Sequence, residues 1–303
     1  MKDMKVFVGL SHKGGTGRSV TIANLAYRFA IKGKNVCIID FDLASPTMGS
    51  ILDLPGLEAG VREPNNVRPQ SIGDLLVSEQ KAGQAEKAVV NVWADSLTLK
   101  DSYKTSYGRL SLIPGLRQLG DRIRVTPMAG KIPYVLDALR RNYEAVFIDA
   151  RSGASNVVTA ISEACAQEHT NRRELISAWL VHFRWTKQHL IGVADFLSNP
   201  KDGLRKEVNN DDRIRLIRSA FIDPNTIEKD ARDWFLKRHV DLGKYLNKHT
   251  PESIRPLLGD VPLDPILQWQ ECIITSELAI NNIANKATDE AFSSIADRLL
   301  EKY

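Results

Sequence analysis

The residues with the clearest chemical purpose are gathered in His12–Lys13–Gly14–Gly15–Thr16–Gly17–Arg18–Ser19. Glycines, fixed cations and hydroxyls crowd this stretch, and together they suit a polyphosphate. Without a Cβ, Gly14, Gly15 and Gly17 let backbone amides close on phosphate oxygens and permit the positive φ values of a tight wrap. A helix opening at Ser19 aims unpaired N–H groups and the positive end of its dipole at the same oxygens. The Ser19 hydroxyl is then placed to hold Mg²⁺ beside the phosphates. The stretch departs from the pattern G-x-x-x-x-G-K-[ST] twice. His12 stands where the first glycine would be, and Arg18 where the lysine would be.

The flanking sequence supplies the elements that must position these groups. Lys5–Leu10 is an apolar run bounded by Gly and Ser, which predicts a buried parallel strand. Over Ser19–Lys32, Val20, Ala23, Ala26/Tyr27 and Ala30 recur at helical spacing, and Gly33 is the expected stop. Val36–Asp40 follows as a second strand, completing a βαβ unit with a right-handed crossover. Further strands are expected at Leu110–Pro114, Ala145–Asp149, Ala178–Phe183 and Ile214–Ile222. Helices are expected at Ile132–Arg141, Lys187–Leu197 and Thr226–Lys248. A last helix carries Ala291/Phe292, Ile295/Ala296 and Leu299/Leu300 as an apolar stripe. Between 45 and 108 the prolines Pro46, Pro55, Pro64 and Pro69 and a turn at Asn65–Asn66 predict a lid-like excursion with short helices. The whole reads as one doubly wound α/β domain over 1–303, with a mostly parallel sheet and helical insertions at about 45–108 and 200–250. Asp40 and Asp149 end apolar strands, where open parallel sheets bind ligands. A carboxylate there is costly unless it faces a cation. The alternative role for these aspartates is to cap the turn that follows.

With K-G-G-T-G-R-S in the loop, the chain resembles the MinD/ParA family of deviant P-loop ATPases, whose loop reads K-G-G-x-G-K-[ST]. Arg18 places it nearer a bacterial variant subgroup with G-R-S. The resemblance extends to Cys37–Leu52 with its D-F-D, to Leu112–Gly115, to Tyr143–Gly153 and to Gly259–Pro265, so it covers most of the chain. It implies a P-loop NTPase fold, ATP with Mg²⁺ as cofactors, and a homodimer with nucleotide at the interface. It also implies roles. Lys13 would reach the partner copy's phosphates, and Arg18 would sit on the β/γ-phosphates. Ser19 and Asp149, with Asp40 nearby, would form the metal shell, and Asp42 would orient the attacking water. Gly14, Gly15, Thr16, Gly17 and Val20 would line the nucleotide, with Pro262 and Asp264 near the base. The resemblance favours adenine, and no N/T-K-x-D guanine signature is present.

Arginine at 18 shapes the functional expectation. Lysine is a compact charge that moves with the transferring phosphoryl group, whereas arginine is a wider planar fork. It still neutralises phosphates by paired contacts, but alignment for in-line attack suffers. A slow ATPase that regulates or positions a partner is therefore expected. The alternative is a hydrolysis-deficient scaffold subunit of a bacterial multi-protein defence or signalling system. The composition, 43% hydrophobic and 26% charged with net charge +4, fits a globular protein. The separated Cys37, Cys165 and Cys272 argue against a disulfide framework or zinc site. No apolar run spans a bilayer, and the direct entry into a strand argues against a signal peptide. A cytoplasmic protein without a membrane anchor is expected. Its mixed-charge segment 214–248 either decorates a helix face or docks DNA or a protein. Arg184, Trp185 and Lys187, after a strand, either contact the base or a partner, or merely pack, with Thr186 capping the next helix.

Overall fold

The computed structural model describes residues 4–62, 70–117, 130–151, 153, 161–162, 175–198, 204, 211–254 and 256–303. The turn expected at Asn65–Asn66, the polar stretch 199–210 (Leu204 apart) and Cys165 lie outside them. The strands are β1 (Lys5–Ser11), β2 (Val36–Phe41), β3 (Val90–Asn91), β4 (Leu110–Ile113), β5 (Ala145–Ala150), β6 (Ala178–Arg184), β7 (Ile214–Phe221) and β8 (Leu257–Pro262). They form one sheet in the order β3-β4-β2-β5-β1-β6-β7-β8. Every pair is parallel except β3 with β4.

Both sheet faces are covered, as a parallel sheet requires. The two-residue period of β1 sends Val6, Val8 and Leu10 to one face and Phe7 to the other. The first face packs on α6 (Ile132–Leu139) and α7 (Lys187–Ser198) through Val135, Leu136, Leu190 and Val193. The second packs on α1 (Arg18–Ile31) and the C-terminal helix Lys286–Lys302 through Ile22, Leu25, Phe29, Phe292, Ile295 and Leu299. That helix uses the stripe read from the sequence.

The segment 45–108 differs from a lid. It holds α2 (Met48–Ile51), α3 (Ile72–Val77), α4 (Glu79–Ala82) and α5 (Val92–Asp95), and also contributes the edge strand β3. Ile72 and Leu75 enter one core layer and Val92 and Leu99 the other. Burial of those side chains outweighs the proline-rich local sequence. Strand β8 was likewise not legible. Leu257–Pro262 carries Gly, Asp and Pro, and it forms only because β7 offers it an edge, with register breaks near Leu216 and Arg218. Helix α8 (Lys229–His249) fills the charged segment, and the helices α9 (Pro265–Trp269), α10 (Ser276–Ile280) and α11 (Lys286–Lys302) end the chain.

His182 is a polar residue wholly buried in β6. Its Nδ1 donates to the Leu10 carbonyl at 3.2 Å, and Nε2 has no hydrogen-bond partner among the described residues. Burial, aided by the charge of Arg18, pushes the ring down to about 3. The unfolded chain takes up this proton near pH 6.5, whereas the folded ring resists it until about pH 3. Stability from this group is therefore complete above pH 6.5 and falls on acidification, by about 1.4 kcal/mol per pH unit. In urea titrations at about pH 7 and about pH 4.5, His182→Phe is expected to lose less stability on acidification than the parent. Equal losses would assign the acid sensitivity to other groups.

Candidate nucleotide site

Strand β1 ends at Ser11 and α1 begins at Arg18, so the glycine loop joins a central strand directly to a helix N-terminus. Gly15 and Gly17 have φ of 70° and 71°, and Gly17 is the helix N-cap with no side-chain cap. Neither position suits a side chain. Gly14 does not share the positive φ expected of it. His12, in place of the first glycine, is half-buried. Its ring lies against Gly192 of α7, where an added Cβ would collide with it. A small residue on α7 thus makes room for the loop's departure from the usual pattern. No local feature of the sequence signals this.

Arg18 turns inward. Its Nε donates to Asp149 Oδ1 at 2.5 Å and its Nη2 to Asp149 Oδ2 at 3.3 Å. The same Nη2 reaches Ser19 Oγ at 3.2 Å and Asp42 Oδ2 at 3.5 Å. Ser19 Oγ donates to Asp149 Oδ2 at 2.7 Å. Asp149 is fully buried and Arg18 is 7% exposed. Burial alone would lower the arginine's pKa, but Asp149, with Asp42 and Asp40, more than offsets this and raises it. Arginine, serine and two carboxylates therefore form one closed cluster, with a guanidinium at its centre.

Asp40 stands beside Asp149 in the sheet register. Burial and the Asp149 charge push it up to about 8, and amides pull the other way. Those amides are Asp42 N on Oδ1 at 3.3 Å and Met48 N on Oδ2 at 3.1 Å. Asp40 thus braces the β2–α2 turn. Asp42 Oδ1 accepts from Ala44 and Ser45 amides at 3.3 and 3.2 Å, and its other oxygen faces Arg18. Lys13 is half-buried in the loop.

Beside the loop lies a cavity of about 260 Å³, lined in part by Gly15, Thr16, Gly17, Val20, Pro262 and Asp264. These expected residues are brought together. Asp264 contributes structure as well, since its oxygens accept the amides of Ile266 at 3.2 Å and Asn285 at 2.8 Å. Sequence reasoning missed Ser219, Ala220 and Trp269 on the same wall and left Arg184 undecided; Arg184 lines it too. Ala220 carries φ 49°, an unusual value for a non-glycine residue, at the irregular end of β7.

Comparison with known proteins gives these features a context. A family model described as ParA, NUBPL iron-transfer P-loop NTPase, matches residues 3–95. Two ATP-binding proteins of Methanocaldococcus jannaschii are 26% and 29% identical over 163 and 155 residues. These stretches are 52% and 51% of this chain and 48% and 47% of those proteins, so the chain spans about half the length of the curated relatives it matches. A Cyanothece McdA–ATP complex superposes with TM-score 0.63, at 16% identity over 99% of this chain and 97% of that one. The MinC:MinD cell division protein complex of Aquifex aeolicus superposes with TM-score 0.60, at 18% identity over 99% and 97%. MinD of Pyrococcus horikoshii with Mg-ADP gives 0.55, at 18% identity over 98% and 96%. The chain has the fold of the MinD/ParA P-loop NTPases. The eight-stranded sheet and flanking helices are those of that fold. Among the described residues no helix is long and apolar enough to cross a membrane.

The donor set at Ser19 and Asp149 is of the kind that suits magnesium. Among the described residues no group of three or more His, Cys, Asp or Glu forms a cage. Mg²⁺ prefers one or two carboxylates completed by waters and phosphate. Ser19 and Asp149 supply a hydroxyl and a carboxylate already 2.7 Å apart. The guanidinium of Arg18 touches both groups, through Nε on Asp149 Oδ1 and Nη2 on Ser19 Oγ.

Proposed function

We propose that this chain is a nucleotide-dependent switch that binds Mg-ATP, pairs with a second copy across the nucleotide and hydrolyses slowly to regulate a protein partner in the cytoplasm. The observation that carries the reading is the inward guanidinium of Arg18, held by Asp149, Asp42 and Ser19. Phosphate oxygens compete with these carboxylates for Arg18, and binding a triphosphate turns the fork outward. Ser19 and Asp149 would hold Mg²⁺, which would supply charge neutralisation on the phosphates. Asp42 orients the attacking water, Asp40 braces its turn near the metal, and Lys13 crosses to the partner's phosphates. Gly14, Gly15, Thr16, Gly17 and Val20 wrap the phosphate tail, and Pro262 and Asp264 border the base. The work of moving Arg18 and its poor fit to in-line transfer both slow the cycle. The domain reading is one P-loop NTPase domain over 1–303, with 45–108 as an insertion built into the sheet.

Phosphate release under Mg-ATP tests the proposal. The parent is expected to turn over well below a metabolic kinase, and Arg18→Lys about tenfold faster, since a lysine follows the transferring group. A parent as fast as a metabolic kinase, or a lysine form no faster, would refute the assignment. Asp42→Ala is expected to prolong the ATP-bound dimer roughly tenfold, followed by light scattering. An unchanged lifetime gives Asp42 only its place in the turn. The second reading, a scaffold subunit without hydrolysis, is favoured if nucleotide binds but neither form releases phosphate.

A further inference from the structure

Behind the β6 and β7 strand ends, separate from the nucleotide cavity, lies a second cavity of about 700 Å³. Its walls come from the β6–α7 junction, the segment after β7 and α8. The size is that of a small-molecule site. Its lining carries five rings, Trp185, Trp234, Phe235, His239 and Tyr245. Trp234 is 59% exposed, an unusual position for an indole with no binding partner.

Two polar atoms in this wall lack partners. Trp185 Nε1 and His239 Nδ1 are buried with no hydrogen bond among the described residues. Their rings lie 5.3 Å apart. Buried polar groups are rarely left unmatched, so the indole N–H calls for an acceptor from outside and the imidazole nitrogen for a polar partner. The Trp185 ring is itself fixed. Arg218 lies 4.4 Å from its centroid and 3.6 Å from that of Phe221, and is anchored on Asp260 by bonds of 2.8 and 2.7 Å. Burial, and then Arg218, lower the pKa of His239, and a neutral imidazole Nδ1 donates or accepts according to its tautomer. The lining also includes Lys187 and Arg238, against the single carboxylate Asp241. Arg238 also lies 5.4 Å from the Trp234 centroid.

We infer that this cavity is a binding site for a small planar aromatic anion, its ring between the aromatic walls, its acceptor on Trp185 Nε1–H and its charge near Arg238 and Lys187. Flat walls select a flat ring, the orphan donor selects an acceptor, and the excess of cations selects negative charge. A peptide would meet the same walls, but the buried, unpartnered Trp185 N–H favours a small occupant. The site adjoins the nucleotide pocket without overlapping it. Arg184 and Ala220 line that cavity, whereas Trp185 and Ile222 line this one.

Isothermal titration of the full chain with 2-naphthoate, with 2-naphthamide as its uncharged match, tests the inference. Saturating Mg-ATP is present in a parallel set. One naphthoate is expected to bind per chain, the amide roughly fivefold more weakly, with affinity unchanged by ATP. Arg238→Ala and Trp234→Ala are each expected to weaken naphthoate about tenfold. Both positions are exposed on α8, so the variants should keep the parent's thermal melt. Trp185→Phe, which keeps a ring and removes the N–H, is expected to weaken binding several-fold. No heat, equal affinity for the amide, indifference to both α8 substitutions, or displacement by ATP would each overturn the proposal.

Discussion

Arg18→Ala is expected to lower folding stability by about 3–5 kcal/mol in the absence of nucleotide, because removing one partner of a buried ion pair leaves an uncompensated charge. That penalty exceeds what the pair itself contributes. Here the abandoned charge is Asp149, fully buried and next to Asp40 in the sheet. Only the Ser19 hydroxyl remains as its side-chain partner within the cluster. Urea unfolding at neutral pH measures the loss. A double substitution, Arg18→Ala with Asp149→Asn, should recover a large part of it, because the amide carries no charge. The cluster also predicts a response to metal. Millimolar magnesium should raise the unfolding midpoint of Arg18→Ala, since a cation binding only the folded state stabilises it by mass action. The parent, whose own guanidinium fills that place, should respond much less without nucleotide. A parent and variant of equal stability would mean that the inward arginine contributes nothing, and the proposed restraint on turnover would lose its basis.

The second large effect is expected at Arg28, far from the phosphates. It is 1% exposed on α1, and its Nη2 donates to the Ile274 carbonyl at 2.6 Å and to Asp289 at 2.5 Å. One turn earlier, Asn24 donates to the Cys272 carbonyl at 3.0 Å and accepts from Ile274 N at 2.8 Å. The helix that begins at the phosphate loop therefore clamps the segment that follows Trp269 on the cavity wall. Arg28→Ala is expected to cost about 3 kcal/mol, from two lost charge-assisted hydrogen bonds and an unfilled volume. Arg28→Met keeps most of the volume and should cost less. In both, nucleotide affinity should fall several-fold although Arg28 touches no wall of the cavity. Loss of stability with unchanged affinity would separate the clamp from the site.

Residue types and residue places had different outcomes for physical reasons. Short-range features were open to inspection. An apolar run of period two, a glycine stretch and a helical stripe each act over a few residues, so β1, the loop, α1, β2 and the last helix lie almost where expected. Asp149 could be read as a buried strand-end carboxylate because a charge among Ala-Val-Phe-Ile needs a cation. The sequence could also mark Arg18 as a departure, but not which way it points. The inward turn exists because β5 brings Asp149 across more than a hundred residues of chain to within hydrogen-bond reach.

The remaining features were decided by tertiary structure alone. Strands β3 and β8 have weak local patterns and form where a neighbouring edge needs pairing. Gly192 carries meaning only because His12 packs on it, and Ser219, Ala220 and Trp269 become cavity walls only when distant segments converge. The amino-acid sequence by itself determined the chemistry on offer, a glycine loop of the kind suited to phosphate with a guanidinium in place of an ammonium. The folded sheet decided that guanidinium's partners, since strand order, a long-range property, sets which carboxylates meet it.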